Sequence, residues 1–398
     1  MKTWMQIMVL TMGLLMGSLM PVCAQAQASK TTITPEQQQE LWKQPDFVKA
    51  YLVVSDPADG VFSPMGHTAV RLICDAYDLD YTFGYDVMLV EGMSEQQAFA
   101  LGKVRVALIA DSTKNYIQGG IAAQRGMQQF ELNMPIDAKR KLWQILDEEA
   151  AKGDYMSYEF FHTGCALLMS HNIENALTQT GYHLVYAPWD AVYAGSYREI
   201  LYDFVTFNPW LRWTLMTIYG VEADRVNIPA REKIILPVML VDVLQKATIN
   251  GQPVLLDGGY ITDQWNYTHQ PMVTPMMIAL LILLLAIIGW FIKSPVIDWT
   301  ILGIQSVLGL LVFCFLMFVD KTEIPFSWLY IPFNILSLIA WKWRRFWALP
   351  YAGVLVVWML YMIITPRLFV DTSHIILTAA WVVVLVKNAL PLQRRNDE

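Results

Sequence analysis

Tyr158-Glu159-Phe160-Phe161-His162-Thr163-Gly164-Cys165-Ala166-Leu167-Leu168-Met169 reads as an aromatic extended segment, a Thr-Gly turn and a helix that starts at or near Cys165. A thiol at a helix N-terminus sits where the macrodipole and the free N–H groups favour the thiolate. The same N–H groups can hold an oxyanion once the sulfur attacks a carbonyl. Upstream, Ser63-Pro64-Met65-Gly66-His67-Thr68-Ala69-Val70-Arg71-Leu72 reads as a turn followed by a strand that begins with a histidine. A Cys on a helix start and a His on a strand start have the makings of a nucleophile and its general base. The expectation is that Cys165 meets His67, with the rest of the chain as their support and their attachment to a membrane.

Plainer readings compete. His67 could be a turn histidine and Cys165 a buried helix cysteine. His162, His171 and His183 are rival bases, but His171 falls on a different face of the Cys165 helix and His162 belongs to the extended side of the turn. A disulfide between Cys74 and Cys165 is a further rival. Cys74 lies roughly 23 Å along a strand from His67, whereas bridged cysteines need Cα atoms within about 7 Å. Cys165 therefore pairs with His67 or with Cys74, not with both. No His-x-x-x-His or Cys-x-x-Cys pair is present, so no metal is expected, and no phosphate-binding Gly loop suggests a nucleotide cofactor.

A general base needs a group that orients its other nitrogen. The strand expected over Asp80 to Tyr85 offers Asp80 and Thr82 on one face, ranked level, with Asp86 just beyond. Around these, the pattern predicts a helix from Thr34 to Phe47 and a strand over 50–54. Further on come a Ser94-capped helix, strands over 103–109 and 128–132, and an amphipathic helix from Asp137 to Lys152. The Cys165 helix runs to Gln179. Aromatic helical segments over 196–207 and 209–219, a helix over 231–248 and a strand over 253–256 complete an α+β region.

The chain of 398 residues is 55% hydrophobic and only 16% charged, too apolar for an ordinary soluble protein. Its net charge of −7 shows no basic surface for nucleic acid. Lys2, an apolar run to Met20 and Ala24-Gln25-Ala26 form an expected signal peptide over 1–26. From Met272, five apolar runs follow, near 272–292, 297–319, 324–341, 347–365 and 373–390, each of a length to cross a bilayer. Lys293, Lys342-Arg344-Arg345 and Arg394-Arg395 fall at alternate connections. Basic connections face the cytoplasm, so an exported domain over 29–271, a five-helix domain over 272–398 and a cytoplasmic C-terminus in the inner membrane are expected.

On these residues the chain resembles a family of exported Bacteroidetes proteins associated with lipoprotein N-acyl transfer, the Lnb type. The matching stretches are Gly66-His67-Thr68-Ala69, Tyr81-Thr82-Phe83-Gly84-Tyr85-Asp86, Tyr158-Glu159-Phe160-Phe161 leading into Cys165, and Asp224-Arg225 through Pro237. The family writes Asp-Asn before the Cys where this chain has Thr163-Gly164, and often Asn where it has Thr82. The His-before-Cys order also resembles circularly permuted papain-like (NlpC/P60-like) enzymes. The resemblance implies such a fold followed by an all-α membrane bundle. It also implies an acyltransferase in which Cys165 takes an acyl chain from a phospholipid, with His67 as base, and passes it to the amine of a diacylglyceryl-cysteine lipoprotein. A membrane-tethered hydrolase of cell-wall peptides and a non-catalytic scaffold in lipoprotein maturation are the other readings.

Overall fold

The computed structural model describes residues 34, 36, 40, 48–58, 60, 62–89, 92–187, 195–226, 228–264, 271–318, 326–339, 341–365 and 370–390. The expected signal peptide, most of the 34–47 helix, Trp189, Tyr193, the loop over 320–323, Arg367, Arg394 and Arg395 lie outside them. The chain forms two compact units, one from residues up to 192 together with 229–267, the other from 193–228 together with 268–398. One division, at 267/268, lies close to the boundary expected near 271, while residues 193–228 group with the helical unit.

The first unit is α+β. Its strands are β1 (Lys49–Ser55), β2 (His67–Cys74), β3 (Leu79–Met88), β4 (Arg105–Ser112), β5 (Met127–Leu132), β6 (Met156–Ser157), β7 (Thr248–Ile249), β8 (Gln252–Pro253) and β9 (Leu255–Tyr260). All but β7 and β8 form one seven-stranded sheet in the order β6-β4-β3-β2-β1-β5-β9, with antiparallel neighbours. The helices named among the described residues are α1 (Glu95–Ala100), α2 (Thr113–Ala122), α3 (Ile136–Lys152), α4 (Cys165–Gln179), α5 (Tyr197–Phe204), α6 (Pro209–Ile218), α7 (Pro237–Lys246), α8 (Pro275–Ile292), α9 (Pro295–Phe318), α10 (Leu336–Ile339), α11 (Arg344–Ile364) and α12 (Thr372–Ala389). The helix expected over 231–248 starts only at Pro237, because proline fits the first turn and not a helix interior.

Alternation in the strands sorts the two sheet faces. Leu52, Val54, Val70, Leu72, Phe83 and Leu132 point to a core shared with α3, α4 and α7. Each such side chain contributes roughly 1.5–3 kcal/mol on burial. The α4 helix lies on this core through Ala166, Met169, Ile173, Ala176 and Leu177, all fully buried. That spacing is one helical stripe, and it fixes the rotation of the helix. A polar lock adds to it: Tyr85 donates to Glu149 Oε1 at 2.7 Å, and Asn172 Nδ2 donates to the Tyr85 hydroxyl at 2.7 Å. The lock ties β3, α3 and α4 together beside the start of the site.

The sequence reading leaves out α2, whose Gly119-Gly120 pair gives it low helix propensity. Ser112 caps it by accepting from Asn115 N, and it packs mainly on β3 and β4.

Among the described residues, the second unit contains four helices long and apolar enough to cross a membrane, at Pro275–Ile292, Pro295–Cys314, Phe346–Ile364 and Thr372–Ala389, which makes the chain a membrane protein. The run expected over 324–341 is not a fifth continuous helix. It holds a 3-10 turn at Trp328–Tyr330, the four-residue α10 and another 3-10 turn at Trp341–Trp343. Pro332 explains the break: it has no N–H to donate, and its ring clashes with a preceding helical turn.

The exposed carbonyls of this broken segment are met by side chains. Trp358 Nε1 donates to Trp328 O at 2.9 Å, the Tyr351 hydroxyl to Ile331 O at 2.7 Å, and Gln305 Nε2 to Pro332 O at 2.7 Å. Irregular backbone at membrane depth is tolerated where protein satisfies it in this way. The order of these contacts shows the segment running beside α11 in the opposite direction.

The helices α8 and α12 run parallel. Near their starts, Trp210 of α6 donates to Val273 O at 2.8 Å, and Arg212 of α6 lies 3.4 Å from Asp371. Near their ends, Lys387 Nζ reaches Gly289 O at 2.8 Å and Asp298 Oδ1 at 2.9 Å. The α6 helix is fastened further by Trp213 stacked on His374 at 4.9 Å and by Thr217 Oγ1 against His374 Nε2 at 2.9 Å. Buried Arg198 meets Asp224 and the carbonyls of Met216, Tyr219 and Gly220 at the end of α6. This network explains why 193–228 groups with the membrane helices.

The parallel course of α8 and α12 predicts a labelling pattern. Single-cysteine reporters at Lys293 and Leu390 should label from one side of the membrane, and reporters at Met272 and Thr365 from the other. Labelling of Lys293 and Leu390 from opposite sides would contradict this arrangement.

Candidate active site

Cys165 is the first residue of α4, and Gly164 before it caps the helix without a side chain. The first N–H groups of the helix are thereby left open. The backbone N–H groups of Ala166 and Thr68 point at the sulfur, and the imidazole of His67 hydrogen-bonds it. Burial opposes ionisation of this thiol, yet the His67 charge, its hydrogen bond and the two N–H groups outweigh burial and hold the thiol below its ordinary value. Burial likewise disfavours the charged imidazole, but Cys165 and then Asp86 raise His67 above its ordinary value. The shifts are opposite and mutual, each group favouring the charged form of the other, and such a pair titrates as a unit.

Local backbone delivers His67 to this place. Gly66 has φ +78, and a Cβ on it would come within 2.6 Å of Ser55 O, so only glycine makes the entry into β2. In β3, a Cβ on Gly84 would stand 3.1 Å from His67 Nε2, so the missing side chain leaves room for the ring. His67 Nε2 lies 3.4 Å from Asp86 Oδ1 and has no closer hydrogen-bond partner among the described residues.

The two orienting residues expected from sequence stand elsewhere. In the β2–β3 register Ala69 faces Gly84, Arg71 faces Thr82 and Ile73 faces Asp80. Asp80 is thus roughly 20 Å along the strand from the His67 level. Asp80 accepts from Arg71 Nε at 2.8 Å and from Thr113 Oγ1 at 2.6 Å. Thr82 Oγ1 is 2.9 Å from Thr113 Oγ1. Both residues fasten α2 to the sheet instead of serving the imidazole. Asp86, which shares their face and continues the same register to His67, is the carboxylate beside the ring.

The α2 helix adds Tyr116, absent from the sequence reading. Its phenol is pushed up by burial and by Asp86, it feels Cys165, and it approaches Ser55 without good hydrogen-bond geometry. Low propensity of the helix hid this residue; the Ser112 cap was the signal available.

The turn before Cys165 is closed by Thr163, whose Oγ1 accepts from Glu159 N at 2.6 Å and donates to Ser157 O at 2.9 Å. Cys74 is free and buried, and Cys165 is free. Among the described residues no three His, Cys, Asp or Glu side chains group as metal ligands. No protein family, no curated protein and no solved structure matches the chain.

The pair can deliver a thiolate nucleophile and a proton to a leaving group within one contact. Its signature is in pH. A lowered thiol and a raised imidazole mean that the reactive pair forms as pH rises through the Cys165 value, below the ordinary thiol range. Alkylation of Cys165 by iodoacetamide should therefore persist on the acid side of a free thiol. Asp86→Asn should shift the profile upward in pH, and His67→Ala should shift it further. Asp80→Asn and Thr82→Val should leave it in place; a shift in these two and none in Asp86→Asn would reassign the orienting group.

Proposed function

We propose that the protein is a membrane-bound acyltransferase that works through a cysteine thioester, related to the Lnb-type lipoprotein N-acyltransferases and built as a permuted papain-like domain. The observation that carries this reading is the Cys165–His67 contact, with its lowered thiol, raised imidazole and Asp86 behind the ring. The four membrane-length helices support lipid substrates, since both donor and acceptor then stay in the bilayer. The Thr163-Gly164 pair, which differs from the family's pattern, is compatible with activity because the Thr163 hydroxyl closes the turn that sets the helix start.

In this reading the Cys165 thiolate attacks an ester carbonyl of a phospholipid, and the carbonyl electrons move to oxygen. Collapse of the tetrahedral intermediate expels the lysolipid alkoxide, which takes the proton from the imidazolium of His67. The acyl chain is then held as a thioester. The α-amine of a diacylglyceryl-cysteine attacks it and gives its proton to neutral His67. The thiolate leaves, and the original pair is restored. An α-amine has a reference pKa of about 7.7–8.0, so a useful neutral fraction exists near neutrality. Ester to amide runs downhill and needs no energy-coupling cofactor. The basic connections and the expected signal peptide support an exported first unit on the inner membrane with a cytoplasmic C-terminus.

The test is the state of lipoprotein N-termini by mass spectrometry in cells lacking the protein and complemented with variants. Wild type should restore N-acylation, and Cys165→Ala should not. His67→Ala should lose about 10²–10⁴-fold, the usual worth of general-base help. Restoration by Cys165→Ala would remove Cys165 as the nucleophile.

A further inference from the structure

The sheet register lines up one row of side chains at the end of the sheet that holds the thiol. Ser55 of β1 pairs with His67 of β2 on one side and with Met127 of β5 on the other. Asp86 continues the row beyond His67. Two residues before Met127 stands Arg125, at the same end. Asp56 N donates to Gly126 O at 2.7 Å, which clamps the backbone on either side of this row.

Arg125 is held but not satisfied. Its Nε makes only a long contact, 3.4 Å, to Asp56 O. Its Nη2 is buried and has no hydrogen-bond partner among the described residues. The hydroxyl of Thr68, whose N–H points at the thiol, is also buried without a partner there. The nearby carboxylate of Asp56 feels Arg125 but is engaged by Tyr260 and Gln128. The positive charge of Arg125 is felt by His67, where it opposes protonation, and by Tyr116. A base is weakened by this neighbour, so assisting His67 does not account for the guanidinium. A guanidinium with a buried, open N–H is destabilising unless an acceptor meets it, and an anion meets it best. Its planar fork is suited to phosphate and carboxylate oxygens.

We propose that Arg125 is the residue that holds the acyl donor, by binding the phosphodiester of a phospholipid whose ester lies at Cys165. This rests on the acyltransferase reading, which already takes a phospholipid as donor, and adds the residue that recognises it: the phosphodiester and the acyl ester sit on one glycerol, so gripping one positions the other. Arg125 is a positioning residue, and it discriminates phospholipid from neutral glycerides.

The experiment uses the full chain in a neutral detergent and reads Cys165 by peptide mass. Alkylation by anionic iodoacetate is compared with neutral iodoacetamide; the ratio of the two rates cancels any change in thiol ionisation. In Arg125→Gln the iodoacetate-to-iodoacetamide ratio should fall roughly tenfold or more, the worth of one charge-assisted hydrogen bond. Arg125→Lys should keep part of it, as a point charge without the fork.

A second arm adds phosphatidylglycerol or diacylglycerol to the micelles. Phosphatidylglycerol should protect Cys165 from iodoacetamide in wild type and lose that advantage over diacylglycerol in Arg125→Gln. An unchanged alkylation ratio in Arg125→Gln overturns the anion site, whatever the acyl-transfer assays give. Protection by an acidic peptide with none by phosphatidylglycerol overturns the phospholipid assignment. If phosphatidylglycerol protects through Arg125 yet leaves no acyl group on Cys165, the anion site stands and the acyltransferase reading falls.

Discussion

One contact organises the first unit: a sulfur at the start of a helix against an imidazole at the start of a strand, both largely withdrawn from water. Burial alone would make each group neutral. The charged form of each is favoured there by the other group and, for the sulfur, by two backbone N–H groups. The surrounding architecture keeps that geometry. The buried stripe of α4 fixes where Cys165 points, and Gly66 fixes where β2 begins. The Tyr85–Glu149–Asn172 lock holds the helix against the strand that carries Asp86.

The second unit obeys a different constraint. Where the backbone is not helical between its long helices, the carbonyls need partners from protein. Gln305, Tyr351 and Trp358 supply them along the broken segment. Lys387 does the same at the end of α8, meeting the Gly289 carbonyl while paired with Asp298. A lysine in an apolar bundle is tolerable because a carboxylate and carbonyls surround it.

Much of this was legible in local sequence. The Thr-Gly turn followed by an apolar helical period located the start of α4, and Gly66-His67 located the start of β2. The third site residue was not legible by the same means. Alternation puts Asp80, Thr82 and Asp86 on one face and cannot rank them; only the register, with Ala69 across from Gly84, brings Asp86 level with His67. Two glycines hid α2 and with it Tyr116. The apolar run over 324–341 had the length of a span, and Pro332 broke it into short pieces. Residues 193–228 looked like part of the exported region because their ties to the helical unit, Arg198 and the Trp213–His374 stack, are long-range.

The most direct measurement of the central claim is the intact mass of the purified full-length protein after incubation with phospholipid of defined acyl chains and no amine acceptor. The account predicts a single added acyl group of the supplied chain, mapped to Cys165, removed by neutral hydroxylamine and absent from Cys165→Ala. An unmodified Cys165, or the same acyl mass on the Cys165→Ala chain, would contradict it.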